Sequence, residues 1–111
     1  MTAPRLYDVA PELAAELERL LIEAGEFALA NRIDDLAIHD LCRCSDSFCS
    51  IFYTVEERIT PWPIGFRTMA LKPGELHLDV LGTTILHVEV LFRDDLRSKI
   101  QAAVPKVSRR H

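Results

Sequence analysis

Leu76-His77-Leu78-Asp79-Val80-Leu81-Gly82-Thr83-Thr84-Ile85-Leu86-His87-Val88-Glu89-Val90 is the stretch that decides the fold of this chain. Apolar and polar residues alternate in both of its arms, the period of a strand with one buried face. Pairing Leu76 with Val90, Leu78 with Val88 and Val80 with Leu86 makes one face of a hairpin wholly apolar. The same register sets His77 beside Glu89 and Asp79 beside His87 on the opposite face, both favourable cross-strand pairs. The loop is then Gly82-Thr83-Thr84. Its glycine is not in the last place, where a bulged three-residue turn wants it, so an irregular turn is expected.

Working upstream, Lys72-Pro73-Gly74-Glu75 has proline and glycine in the central places of a type II turn, and residues 66–71 read as a short strand before it. Residues 56–65 are a connection in which Pro61 and Pro63 flank Trp62 and donate no ladder bonds. Residues 36–44 read as a strand rather than a helix, because a register exists for them. With Cys44 facing Cys49 across Ser45-Asp46-Ser47-Phe48, Cys42 faces Ile51 and Asp40 faces Tyr53. The inward face is then Leu36, Ile38, Cys42, Cys44, Cys49, Ile51, Tyr53 and Val55, with Asp40 a misfit. Leu41 and Phe52 are left as apolar exceptions on the outward face.

The ends read as helical. Leu13, Leu17, Leu20, Leu21, Ala24 and Ala28 recur at three- and four-residue spacing, with Asp8 as a cap and Pro11 in the first turn. Gly25 interrupts this helix, which is expected to resume to about Asn31. Residues 93–104 form a second helix with acids at its start, Pro105 as its stop, and a buried stripe of Leu96, Ile100, Ala103 and Val104. Residues 1–7 and 106–111 read as loose tails. The expectation is one α+β domain over residues 1–111: an antiparallel sheet of about five strands, largely a meander, packed with an N-terminal and a C-terminal helix.

Composition excludes several function classes. With 111 residues a single core is feasible without staples. A net charge of −4 argues against nucleic acid, whose phosphates need a basic face. No apolar run approaches the ~20 residues of a membrane span. The first residues carry no apolar secretory core, so a cytoplasmic protein with reduced thiols is expected. A phosphate loop, a dinucleotide fingerprint, a nucleophile elbow and a paired-histidine zinc helix are absent from the sequence.

Three candidate sites remain. Cys42, Cys44 and Cys49 have a spacing that fits three readings. They are small buried residues of a hairpin, or three thiolates holding Zn²⁺, or a redox pair of Cys44 and Cys49. The zinc reading lacks a fourth ligand, because His39 falls on the other face. The second candidate is the quadrilateral of His77, Asp79, His87 and Glu89, which has the donors for a divalent metal and equally suits a solvated sheet face. The third is Trp62, an aromatic anchor for a partner or a lid over the core.

Cys42-Arg43-Cys44, Cys49, Phe52-Tyr53-Thr54, Glu89-Val90-Leu91 and Arg93-Asp94-Asp95 together resemble a group of small uncharacterised bacterial proteins. Relatives in that group often have glycine after the second cysteine, where this chain has Ser45. The resemblance implies no activity. The function expected from the residues is a non-enzymatic binding or interaction module, acting through a protein partner or as a homodimer. The alternatives are a small zinc-binding module and a thiol redox protein.

Overall fold

The structure, a computed structural model, describes residues 3–41, 50–55 and 64–103. Cys42, Cys44, Cys49, Trp62 and the 106–111 tail lie outside the described residues. Helices α1 (Leu6–Val9), α2 (Pro11–Glu23) and α3 (Phe27–Ala30) are followed by a 3₁₀ turn at Ile33–Asp35. Strands β1 (Asp40–Leu41), β2 (Phe52–Tyr53), β3 (Arg67–Lys72), β4 (Leu76–Leu81) and β5 (Thr84–Val90) precede helix α4 (Asp94–Ala103). The strands form one antiparallel sheet in the order β1-β2-β5-β4-β3. The α+β architecture with helices at both ends is therefore as the sequence indicates. The chain meanders through β3, β4 and β5, and β5 then pairs with β2 of the first hairpin.

Residues 4–7 are not a loose arm. Leu6 is fully buried, its N–H bonds the Leu36 carbonyl at 2.8 Å, and the Ile38 N–H bonds the Pro4 carbonyl at 2.8 Å. Asp8 does not cap the long helix but sits within α1, paired with Arg5 at 3.3 Å. Pro11 causes the split. It disfavours helical geometry in the residue before it, and Ala10 accordingly takes φ −142° and ψ 74° while α2 starts on the proline. At the other end of α2, Gly25 has φ +78°. Its N–H bonds the Ile22 carbonyl at 3.0 Å and the Glu26 N–H bonds the Leu21 carbonyl at 2.8 Å, the paired bonds of a Schellman motif. Helix resumes at α3 as expected.

Leu13, Ala14, Leu17 and Leu21 of α2 and Leu96 and Ile100 of α4 pack in one cluster with Leu76, Leu78, Val80, Val88 and Val90 of the sheet. All the helices thus cover one face, and the alternating residues of β4 and β5 turn to the other. Glu16 ties the layers together: its carboxylate accepts from Lys72 Nζ at 2.7 Å and from Arg93 Nη1 at 3.2 Å.

Three local expectations are corrected. Residues 36–44 are not one strand. Leu36 and Ile38 bond the N-terminal segment, Arg5 bridges Ala37, and the ladder to β2 begins at Asp40. At the described pairs the hairpin register is as read, with Asp40 opposite Tyr53 and Leu41 opposite Phe52, but the faces are reversed there, while Leu36 and Ile38 are buried as expected. Phe52 is fully buried and Leu41 nearly so, while Tyr53, Ile51 and Val55 are only half-buried. The cause is the next strand. Phe52 pairs with Val88, and directly paired residues share a face, so Phe52 and Leu41 must follow Val88 into the core. Asp40 then ceases to be a misfit. At the β4–β5 turn, the loop is the two residues Gly82-Thr83, with Leu81 paired to Thr84 and Gly82 at φ +61°. A bulge leaves Val80 opposite Ile85, and both Ile85 and Leu86 are buried as a result.

Candidate functional site: the polar face of the sheet

The register aligns one outward residue from each strand. Asp40, Tyr53, His87, Asp79 and Thr68 form a row across all five strands. In the next row Glu89 of β5, His77 of β4 and Ala70 of β3 lie side by side. The structure therefore brings His77, Asp79, His87 and Glu89 together as two pairs in neighbouring rows, in the register read from the sequence.

Asp79 is the fixed point of the longer row. Thr68 Oγ1 donates to Asp79 Oδ1 at 2.7 Å, and His87 Nδ1 lies 3.3 Å from Asp79 Oδ2. Each carboxylate oxygen thus has a neighbour on its own side. The Tyr53 ring continues the row, with its centroid 5.0 Å from that of His87 and the planes tilted by 45°. The side chains of Asp79 and His87 each keep only 14% of their surface exposed.

In the second row His77 Nδ1 lies 3.3 Å from Glu89 Oε1. The Gly74 N–H donates to His77 Nε2 at 3.3 Å. A nitrogen that accepts carries no proton, so in the neutral ring the hydrogen belongs on Nδ1, facing Glu89. Both Nδ1 contacts are ion-pair approaches that fall short of hydrogen-bond geometry. Among the described residues no three His, Cys, Asp or Glu side chains converge as a metal site. The four side chains of the quadrilateral lie as two pairs in neighbouring rows.

The order Thr68–Asp79–His87 has a chemical consequence. In a nucleophilic triad the histidine stands between hydroxyl and carboxylate, so that it can take the hydroxyl proton. Here the carboxylate stands between them. Thr68 is held by Asp79 and is not activated by His87.

A second polar feature was missed by the sequence reading. Arg32, Asp35, His39, Thr83 and Thr84 line a surface cavity of about 260 Å³ between the 3₁₀ turn and the β4–β5 loop. Leu36 and Ile85 are buried beneath it, and the Thr54 hydroxyl there donates to the Ile85 carbonyl at 2.6 Å. Its residues come from segments far apart in sequence, so no local spacing could have flagged them. Arg32 reaches Thr83 Oγ1 at 3.4 Å across 51 positions.

No known family model, curated protein or solved structure matches this chain. No helix among the described residues is long and apolar enough to cross a membrane.

Proposed function

We propose that the protein is a non-enzymatic binding module whose polar sheet face receives a basic segment of a protein partner. The observation that carries this reading is the five-strand row itself, in which Asp79 is held by Thr68 and His87 and the Tyr53 ring lies beyond His87. Acceptors fixed in advance lose little freedom when a partner arrives. The face presents Asp40, Asp79 and Glu89 against two imidazoles, on a chain of net charge −4, so its complement is cationic. Tyr53 adds an aromatic surface of the kind that arginine and lysine stack upon. The Thr–Asp–His order supports binding over catalysis.

The test is fluorescence anisotropy with a labelled oligo-arginine peptide at two salt concentrations. Wild-type protein is compared with Asp79→Asn/Glu89→Gln and with Glu23→Gln/Glu18→Gln, which removes the same charge from helix α2. The sheet-face variant should raise the Kd at least about tenfold, while the helix variant stays near wild type. Equal losses in the two variants would reduce the effect to net charge. Absence of saturable binding to wild type would remove the reading.

A further inference from the structure

We propose that the cavity between the 3₁₀ turn and the β4–β5 loop binds a free α-amino acid as its zwitterion. This inference is independent of the sheet-face reading and concerns the opposite kind of ligand, a small molecule rather than a protein. Arg32 and Asp35 are three positions apart, opposite in charge, and both line the cavity. Such a pair ordinarily closes into an ion pair when its geometry permits. Here no such pair forms: among the described residues Asp35 accepts no side-chain hydrogen bond and has only the charge of Arg5 acting on it, and Arg32 makes only the long bond to Thr83. Both charges line the cavity without closing on each other. A ligand that satisfies both must carry an anionic and a cationic group a short distance from each other, as the carboxylate and ammonium of an α-amino acid do.

The remaining walls suit the rest of that molecule. Thr83 sets its hydroxyl beside Arg32 and Thr84 also lines the cavity, so both can donate to a carboxylate. Leu36 and Ile85 give an apolar floor for an aliphatic side chain, and the half-buried His39 closes another side. The cavity, at about 260 Å³, falls below the roughly 300–1,000 Å³ of sites for drug-sized ligands. That size suits a single amino acid better than a nucleotide. A planar guanidinium is also the better choice for a carboxylate, which it can grip with two parallel bonds.

The experiment is a titration of the full ¹⁵N-labelled chain, followed by amide shifts, with L-leucine, L-threonine and L-glutamine in turn. Isocaproate lacks the ammonium of leucine, isoamylamine lacks its carboxylate, and inorganic phosphate serves as a simple anion. At least one amino acid should give saturable shifts confined to residues 32–39, Thr54 and residues 83–85. Arg32→Ala and Asp35→Asn should each weaken that binding at least about tenfold, with core amide shifts unchanged to show that the variants fold. Isocaproate and isoamylamine should each bind at least about tenfold more weakly than leucine. Phosphate binding that survives or improves in Asp35→Asn, with no advantage for amino acids, would make the cavity an anion site and overturn the proposal. So would the absence of any saturable shift with all three amino acids up to ~10 mM.

Discussion

The Glu16 carboxylate holds three elements at one point, since Lys72 belongs to β3, Arg93 precedes α4 and Glu16 itself lies on α2. Burial by itself pushes its pKa up. The hydrogen bonds and positive charges of Lys72 and Arg93 outweigh that, and the net value lies below the ordinary 4.5. A carboxyl depressed by folding contributes stability that is complete above its unfolded pKa and is lost as pH falls through the folded value. Glu16→Gln should therefore cost about 1–3 kcal/mol in urea unfolding at neutral pH, the range for hydrogen bonds to charged groups with two cations left unpartnered. It should also flatten the loss of stability on acidification, because the variant has no proton to take up at this position. If the urea midpoints of variant and wild type ran parallel from neutral pH into acid, Glu16 would have no role in acid unfolding. None of this was legible in the sequence. Glu16 and Lys72 are 56 positions apart, and only the docking of α2 on β3 brings them together.

At the scale of elements, the hairpins show where pattern suffices and where it fails. The register of β4 on β5 was legible from Leu76 to Asp79 because two alternating arms fix each other, whereas the bulge that sets Val80 opposite Ile85 instead of Leu86 was not, and the type II turn at Gly74 (φ +83°) followed from Pro73-Gly74. Reading the β1–β2 hairpin gave the right partners and the wrong face. Among the described residues its ladder is two residues long, and the residue that turns it inward is Val88, on a strand the local pattern does not contain. The inversion is open to test. Phe52→Ala should cost about 3–5 kcal/mol, as for a buried aromatic, whereas Tyr53→Ala should cost no more than about half as much, since half of its ring faces outward. Urea unfolding of both variants decides it, and a costlier Tyr53→Ala would restore the original face assignment. The end of α2 gives a cleaner case. A Cβ at Gly25 would meet nothing within 4 Å, so the cost of Gly25→Ala, about 1–2 kcal/mol, is the left-handed backbone alone. Thermal unfolding should show that loss, and a neutral Gly25→Ala would mean that the Schellman turn contributes nothing.

Across the whole molecule, the α+β class was legible because amphipathic helices flank alternating strands, and each must bury its apolar side against the other. Strand order was not, since nothing local says that β5 returns to lie beside β2. That order makes the sheet uneven. β4 and β5 pair along Leu76–Leu81 and Thr84–Val90 and carry most of the inward apolar residues. β1 and β2 are two residues each and hang on the edge of β5. Segments with short ladders open without the rest, while long buried ladders open only when the molecule unfolds. Native-state hydrogen exchange should therefore find the amides of β4 and β5 slowest, with the free energy of global unfolding. His39, whose N–H bonds the Tyr53 carbonyl at 2.8 Å, should exchange faster through local opening of the β1 edge. A substitution separates the two routes. Gly74→Ala strains the β3–β4 turn, where an added Cβ meets no atom within 4 Å, and should lower global stability by ~1–2 kcal/mol. The protection of β4 and β5 should fall by that same amount, because their exchange passes through the unfolded state. Exchange at His39 should stay constant, because the β1 edge opens with the turn still intact. Equal losses at both places would mean that the sheet opens as one unit, and the polar row from Asp40 to Thr68 would then be rigid along its whole length.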